Sequence, residues 1–358
     1  MVRIKKKPDQ LAFFAQQFTP ARHLFNLVLV GVIGLIVCMF LILQEKEERM
    51  MGSSSMGSMG AHALSTTALS IATTSKKPPH LVYGTAWKKD DTAHYVHEAI
   101  KAGFRHIDTA CQPKHYNEAG VGNGWTEAAQ ELGLDRNDIW LQTKFTAPNG
   151  QDPNNMPYDA SAPLKEQMLT SLETSLKNLQ TTYLNSWVLH SPLPTMDQTM
   201  EAWKIMEHEL ENGRVRQLGI SNCYSLEQFQ SIYNQATIKP KVLQNRFYQE
   251  SNFDTELRQF CKEHGITYQS FWTLTANRKA LHSSELTALA TSHGETAQTY
   301  MYAFLMSLGY ITPLCGTTDL DHMKQDVAVV KRIQQGDVLF AGDDELRAFA
   351  KLLHMPDL

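Results

Sequence analysis

The sequence is poor in cysteine, and its cysteines lack any spacing that would pair them. Only five occur in 358 residues, with neither a CxxC pair nor zinc-ligand spacing: Cys38, Cys111, Cys223, Cys261 and Cys315. This pattern argues against a disulfide scaffold and against a structural metal site. We interpret the cysteines as reduced, mostly buried thiols, and we predict no metal.

Clusters of positive charge are missing from the last three quarters of the chain. Lysine and arginine total 33 against 37 aspartates and glutamates, which gives a net charge of −4. Proteins that bind nucleic acid usually carry a basic patch or stripe. Nucleic acid is therefore not expected as a partner.

Long apolar runs are also absent, with one exception close to the N-terminus. The stretch HLFNLVLVGVIGLIVCMFLIL, which begins at His23, holds about 20 uncharged residues, enough for a helix that crosses a bilayer. A cleaved signal peptide normally has a shorter apolar core. We predict a basic tail at residues 1–22 and a retained single-pass membrane anchor at residues 23–44, with an organelle presequence as the open alternative.

The residues around this run give conflicting indications about orientation. Five basic residues precede it and two follow closely, so the positive-inside rule predicts that the domain after it is translocated. The lack of an Asn-x-Ser/Thr acceptor and the unpaired thiols favour a cytosolic domain instead. We favour translocation on the charge argument and leave the cytosolic orientation open.

Residues 45–79 are predicted to be a flexible linker, and residues 80–358 a folded domain. Most of the linker is rich in glycine, serine, threonine, methionine and alanine, without periodicity. From His80 onward, short apolar runs alternate with helix-length segments such as AHYVHEAIKAG. The predicted strands are HLVYGTA, RHID, IWLQTK, NSWVLH, VRQLGIS, KVLQNR, ITYQSFW and YITPLCG.

Eight such units predict an α/β fold, a closed (β/α)8 TIM barrel. The rival fold is an open, doubly wound sheet. That fold would need a G-x-G-x-x-G turn after the first strand, and the segment YGTAWKKDD lacks one.

Polar residues close five successive predicted strands. In a barrel, such residues meet at one rim, where the active sites of barrel enzymes lie. The residues are Asp108, Lys144, His190, the pair Ser221 and Asn222, and Gln244.

Tyr116, on the loop after the second strand, is predicted to be a proton donor at this rim. A tyrosine hydroxyl is a weak acid with a pKa of about 10, and a nearby ammonium is expected to lower that value. Lys144 supplies the ammonium, Asp108 holds the lysine, and His190 shares the proton or binds a substrate oxygen. The alternatives are a packed rim tyrosine, a helix-capping aspartate, a solvated lysine and a core histidine.

The motifs of the folded domain resemble those of the aldo-keto reductase family over nearly all of residues 80–355. The matching segments are GFRHIDTA followed by YNEAGVG, LQTKF, SLETSLKNLQTTYLNSWVLHSP, GRVRQLGISN and LQNRF. The resemblance implies a barrel that binds NADPH or NADH and reduces a small-molecule carbonyl to an alcohol. It places the family's catalytic tetrad on Asp108, Tyr116, Lys144 and His190.

One departure concerns the spacing of the tyrosine. Most members have it five residues after the aspartate, but here that position is Pro113, and Tyr116 follows Asp108 by eight residues. Because proline cannot donate a proton, we interpret the segment CQPK as a local insertion.

The resemblance also implies residues that bind cofactor and substrate. Ser221, Asn222 and Gln244 would bind the nicotinamide carboxamide, and Phe271 would stack on the nicotinamide ring, where most members have a tyrosine. Trp87 and His190 would face the substrate. The remaining cofactor contacts would come from Thr85, Gly316, Thr317 and Thr318.

The match weakens after the eighth strand. Many members that prefer NADPH carry a lysine and an arginine there that bind the 2′-phosphate. This chain has TPLCGTTDLDHMKQD, with His322 at the arginine position. NADPH is the expected cofactor and NADH an alternative, with backbone N–H groups of residues 315–318, or Lys324 in a shifted register, as phosphate ligands.

A long polar loop follows Lys144, at residues 145–164. We expect it either to overhang the barrel mouth and shape specificity or to be an inert surface insertion.

The favoured function is a membrane-tethered NAD(P)H-dependent carbonyl reductase. One alternative is a cofactor-binding, redox-sensing subunit of a membrane protein, and another is an enzyme that forms a Schiff base on Lys144. The sequence specifies neither the substrate nor the oligomeric state.

Overall fold

The computed structural model describes residues 80–340 and 342–356. The predicted basic tail, membrane anchor and linker lie outside these residues. In the part that is described, no helix combines the length and the apolar character needed to cross a bilayer.

Eight parallel strands form the barrel predicted from the sequence, and each lies within its predicted segment or one residue beyond it. The first and last strands also pair with each other, so the sheet is closed. The strands are β1 (Val82–Gly84), β2 (His106–Asp108), β3 (Trp140–Phe145), β4 (Ser186–Leu189), β5 (Leu218–Ser221), β6 (Val242–Arg246), β7 (Thr267–Phe271) and β8 (Ile311–Cys315).

Helices connect and follow these strands, as parallel pairing requires. The α-helices of the described residues are α1 (Thr92–Ala102), α2 (Glu118–Leu132), α3 (Leu164–Asn178), α4 (Met196–Glu211), α5 (Leu226–Gln235), α6 (Thr255–Glu263), α7 (Arg278–Leu281), α8 (Ser284–Ser292), α9 (Ala297–Ser307), α10 (Leu320–Gln334) and α11 (Asp343–Leu352). Short 3-10 turns lie at Lys89–Asp91, Arg136–Asp138, Pro148–Gly150, Gln249–Asp254 and Thr275–Asn277.

The strand register brings the predicted polar residues to one rim. Asp108 lies opposite Gln142 of β3, and Ser221 lies opposite Gln244 of β6. All four residues of β4 are buried, as expected for parallel strands that are covered on both faces. A close approach between β5 and β6 depends on Gly219, where a Cβ would lie 2.8 Å from that of Val242.

The main apolar core includes the shell between strands and helices. It contains large, fully buried side chains such as Trp187, Trp203 and Phe229. The four described cysteines are buried and unpaired, as the sequence predicts. The shell holds the strands rigidly, which fixes the positions of the side chains at the rim.

Candidate active site

A cavity of about 980 Å³ lies at the carboxyl ends of the strands. This is within the range of small-molecule and cofactor sites. Its wall includes most of the residues predicted from the sequence: Trp87, Asp108, Tyr116, His190, Ser221, Asn222, Gln244, Phe271, Gly316 and Thr317.

Asp108 and Lys144 form a buried ion pair below the cavity. The Lys144 Nζ lies 2.7 Å from both carboxylate oxygens of Asp108 and 2.8 Å from the carbonyl oxygen of Thr109. The lysine side chain is fully buried and does not line the cavity. Its three donors are occupied, which argues against the Schiff-base alternative.

Three glutamine side chains surround the Asp108 carboxylate, and the sequence analysis had identified only Gln244. Gln142 and Gln244 donate to Asp108 Oδ1 at 2.7 and 3.1 Å, and both donate to Gln269 Oε1. Gln142 precedes Lys144 by two residues in β3, so the two side chains point to the same face of the strand. The network fixes the carboxylate in one orientation.

Tyr116 lies against this ion pair. The Lys144 Nζ is 5.2 Å from the centroid of the tyrosine ring, and the rings of Tyr116 and His190 are 6.1 Å apart. The backbone N–H of Tyr116 donates to the carbonyl oxygen of Gln112 at 3.0 Å, which closes a turn within the CQPK segment. Pro113 is exposed. This turn places Tyr116 beside the ion pair.

The structure reverses the expected direction of the tyrosine pKa. Burial, reinforced by the Asp108 carboxylate, raises the pKa of Tyr116 above its usual value. The positive charge of Lys144 does not outweigh this rise, because the Asp108 carboxylate balances it. The tyrosine is therefore protonated at neutral pH, and it can give up its proton only to a strong base such as an alkoxide.

His190 lies at the same end and is neutral at physiological pH. Burial, together with the positive charge of Lys144, lowers the pKa of His190 to about 3. Its Nδ1 lies 2.6 Å from the hydroxyl oxygen of Thr146, a residue that the sequence analysis did not single out. We refer to Asp108, Tyr116, Lys144 and His190 as the tetrad end of the cavity.

Next to the tetrad end, the residues predicted to bind a carboxamide are bonded to one another. Ser221 donates to the carbonyl oxygen of Gln244 at 2.7 Å, and Asn222 donates to that of His190 at 2.9 Å. Among the described residues, Gln244 Oε1 has no hydrogen-bond partner. Asn222 Oδ1 accepts a single long hydrogen bond, from the Tyr224 hydroxyl at 3.3 Å. These side-chain oxygens can accept from the NH2 group of a carboxamide, whereas the donors of the three residues are already used within the protein.

The opposite end of the cavity, the β8 end, is formed by Gly316, Thr317, His322 and Asp326. Neither a lysine nor an arginine is part of its wall within the described residues, but the buried Lys88 donates to the carbonyl oxygen of Gly316 at 2.9 Å. Asp319 accepts from the backbone N–H groups of Asp321 and His322 at 2.9 Å each. These amides of α10 are thus occupied by the protein's own carboxylate.

Besides Lys144, three residues predicted to bind the cofactor do not line the cavity. The Thr85 hydroxyl donates to the backbone oxygen of Asp108 at 2.9 Å. Thr318 also lies outside the cavity wall, and Lys324 pairs with Asp321 at 3.1 Å on the surface. The cofactor roles of Thr85 and Thr318 remain predictions.

A buried thiol and carboxyl pair, which the sequence analysis missed, lies at the β8 end. Cys315 Sγ donates to Asp326 Oδ2 at 2.9 Å. Burial raises the pKa of Asp326 to about 7, well above the usual value for a carboxyl group. Asp326 is therefore partly protonated near neutral pH, and this end of the cavity carries less negative charge than an ionised aspartate would give it.

The loop at residues 145–164 does not overhang the cavity, so that expectation is wrong. Instead it braces the turn that carries Tyr116: Gln112 donates to the carbonyl oxygen of Gly150 at 2.6 Å, and Gln151 donates to that of Cys111 at 2.8 Å. It is not inert either, because it also packs the buried Tyr158 against Phe145.

Trp87 and His115 form the outer wall near Tyr116. Their ring centroids are 3.8 Å apart, and the tryptophan is 58% exposed. The His115 Nδ1 is buried without a hydrogen-bond partner among the described residues. These two rings leave a partly apolar entrance for a small substrate.

Comparisons with known proteins agree with this geometry. The model of the aldo/keto reductase family matches residues 80–338. Glyoxal reductase of Bacillus subtilis is 28% identical over 223 residues, which are 62% of this chain and 72% of that protein. The solved aldo/keto reductase of Brucella melitensis is 27% identical with a TM-score of 0.62, over 76% of this chain and 94% of its own.

A further solved structure shows the same fold. An aldo-keto reductase of Bombyx mori, in complex with NADP, has a TM-score of 0.62 at 21% identity, over 76% of this chain and 88% of its own. The family match extends over most of the chain and coincides with the barrel. The chain therefore belongs to the aldo/keto reductase family and is an NAD(P)H-dependent oxidoreductase.

Proposed function

We propose that the protein reduces an aldehyde or ketone to the alcohol, with Tyr116 as the proton donor. The observation that carries this proposal is the position of the Tyr116 ring beside both the buried Lys144 ammonium and the neutral His190 imidazole. When bound, the reduced nicotinamide supplies the hydride.

In this proposal His190 binds the carbonyl oxygen of the substrate. The Thr146 hydroxyl oxygen lies 2.6 Å from Nδ1 of His190, and the proposal assigns the hydroxyl as the donor, which places the ring proton on Nε2, facing the substrate. The low pKa of His190 keeps the ring a neutral donor rather than a competing acid.

Tyr116 then protonates the same oxygen as negative charge develops on it. The high pKa of the tyrosine prevents premature loss of the proton. The Lys144 ammonium, held by Asp108, stabilises the phenolate that is left.

The cofactor is proposed to be NADPH or NADH, with its carboxamide at Ser221, Asn222 and Gln244 and its ring on Phe271. We expect weak discrimination between the two because no lysine or arginine of the described residues lines the wall of the β8 end, and the nearby Lys88 ammonium is bonded to Gly316. A charge-assisted contact to a 2′-phosphate would be worth about ten- to a hundredfold in affinity. A dissociation-constant ratio above about a thousand in favour of NADPH would contradict this expectation.

The test is oxidation of NADPH and NADH by the full-length protein with a panel of carbonyl compounds. Because one relative is a glyoxal reductase, the panel begins with small 2-oxoaldehydes and extends to aromatic aldehydes and ketones. Turnover with at least one class is expected. Tight cofactor binding without turnover on any of them would refute the reductase and favour the redox-sensing alternative.

We further propose that residues 23–44 anchor the barrel to a membrane, with the barrel translocated. The support is the uncharged run and the excess of basic residues before it. Protease treatment of sealed membranes that carry the full-length chain tests the orientation. Digestion of the barrel from the cytosolic face without detergent would place it in the cytosol.

A further inference from the structure

Arg246 ends β6 and points toward the cavity. Side chains alternate along a strand, so Arg246 shares a face with Gln244, while Asn245 points outward and donates to Asp254 at 2.7 Å. Arg246 is partly buried and lines the cavity wall. A cation thus lies two residues beyond Gln244 of the predicted carboxamide site, toward the carboxyl end of β6.

The guanidinium of Arg246 is held by aromatic rings instead of by a carboxylate. Its Cζ lies 4.4 Å from the ring centroid of Tyr248 and 4.4 Å from that of Trp272. Its Nε is buried without a hydrogen-bond partner, and no ion pair involves this side chain within the described residues. Such contacts fix the plane of the guanidinium and leave its donors free for an oxyanion.

Arg246 lies between the two ends of the cavity. The wall runs around the rim from Asn222 on the β5 side, through Arg246 and Trp272, to Gly316 after β8. Arg278, at the start of α7, lines the same stretch and forms no ion pair among the described residues. These two are the arginines of the described cavity wall.

We propose that Arg246, with Arg278 as a second cation, binds the pyrophosphate of the dinucleotide cofactor. This inference rests on the proposed function. A dinucleotide with its nicotinamide at Gln244 and its adenosine at the β8 end must place its pyrophosphate between them, where the two arginines lie. Arginine binds phosphate oxygens in a bidentate manner, and charge-assisted bonds of this kind are short and strong.

The test is calorimetric titration of the full-length protein with NADPH, NADH, ADP-ribose and adenosine 2′-monophosphate. ADP-ribose contains the pyrophosphate, whereas adenosine 2′-monophosphate has a phosphate without it. Arg246→Met should weaken binding of the first three by about ten- to a hundredfold and leave the fourth unchanged. Arg246→Lys should show the same pattern with a smaller loss, because its ammonium is a point charge.

Arg216→Met is the matched control. Arg216 also stacks on a ring, that of Tyr183 at 3.9 Å, but it precedes β5 at the other end of the barrel. The Arg216→Met variant should bind all four ligands with wild-type affinity. Thermal melts of each variant without ligand identify any variant that is misfolded. If Arg246→Met is misfolded, the affinities of Arg246→Lys decide the outcome.

Two results would overturn the inference alone. Unchanged affinity of both Arg246 variants for ADP-ribose would show that Arg246 does not contact the pyrophosphate. Loss of affinity only for carboxylate-bearing carbonyl substrates, with normal cofactor binding, would assign Arg246 to the substrate. Wild-type protein that binds neither NADPH nor NADH would instead refute the proposed function itself.

Discussion

The two ends of the cavity differ in how a buried carboxyl group is stabilised. At the tetrad end, Asp108 and Lys144 neutralise each other at 2.7 Å inside a ring of glutamines. At the β8 end, Asp326 has no cation in contact and shares a hydrogen bond with Cys315. Burial therefore preserves an ion pair at one end and favours a protonated acid at the other.

In the proposed function, this difference separates the chemistry at the tetrad end from the selection of the cofactor at the β8 end. At the tetrad end, Asp108 and Lys144 lie on β2 and β3 and His190 directly follows β4, so the closed sheet fixes their positions, while Tyr116 lies on the loop after β2. At the β8 end, Gly316 and Thr317 lie on the loop after β8, and His322 and the buried Asp326 lie on α10. We expect variants at the tetrad end to affect turnover and stability strongly, and those at the β8 end to act more weakly.

The largest expected effect is that of Tyr116→Phe. Loss of the hydroxyl removes the proposed proton donor, so kcat should fall by about 10²–10⁴-fold. The cofactor dissociation constant should not change, because the hydroxyl acts on the developing alkoxide. Steady-state kinetics and calorimetry check the two parts.

Tyr183→Phe is the control, since it deletes the same group outside the cavity wall. Retention of more than about a tenth of the wild-type kcat by Tyr116→Phe would show that another group donates the proton.

The sequence predicts the barrel and most of the tetrad because both depend on local patterns. Short apolar runs closed by Asp108, Lys144 or His190 are visible in the chain, and closure of the sheet then brings them together. The partnership of Gln142 with Gln269 joins residues 127 positions apart, and no local pattern indicates it.

The other discrepancies arise from burial and from the direction of a loop. The sequence shows that a lysine accompanies Tyr116, but not that the Lys144 ammonium is already used by Asp108. The polar composition of residues 145–164 predicts a surface loop and does not show that Gln151 turns inward to Cys111. Thr146 looks like an ordinary loop residue until its contact with His190 is known.

The next effect concerns stability, and it tests the ion pair directly. Lys144→Met leaves the Asp108 carboxylate buried without a cation, which should lower the free energy of unfolding by about 3–5 kcal/mol. Lys324→Met breaks an exposed pair with Asp321 on α10 and should cost at most about 1 kcal/mol. Urea denaturation of both variants measures the difference.

The double variant Asp108→Asn/Lys144→Met sharpens this test. It removes both charges, so its loss should be smaller than the sum of the two single losses. Additive losses would mean that the two side chains do not act as a pair.

At the β8 end, the expected effect is a dependence of stability on pH. The native state holds a proton on Asp326 up to about pH 7, whereas the unfolded chain releases it near pH 4. Between these values the native state binds more protons, so this carboxyl contributes stability at low pH that is lost as pH rises toward 7. A tenfold change in an acid constant corresponds to about 1.4 kcal/mol, which limits the effect to about 4 kcal/mol.

Asp326→Asn isolates this contribution. The free energy of unfolding of the wild type relative to the variant should fall between pH 4 and pH 7, as measured by urea denaturation at each pH. His190 acts in the opposite direction, since its low pKa makes stability rise with pH from about 3 to 6.5, but it is common to both proteins and cancels. A constant difference would show that Asp326 is ionised in the native state throughout.

The smallest expected effect is that of Thr146→Val, at the tetrad end. We assign Thr146 as a positioning residue: its hydroxyl contacts His190 Nδ1 at 2.6 Å, and in the proposed mechanism it donates there and keeps the ring proton on Nε2. One neutral hydrogen bond contributes about 1 kcal/mol, so kcat should fall by roughly fivefold while the cofactor dissociation constant is unchanged. Thr146→Ser keeps the hydroxyl and should retain most of the activity. Equal losses of kcat in the serine and valine variants would assign the effect to packing of the threonine side chain. Thr146 would then have no role in setting the tautomer of His190.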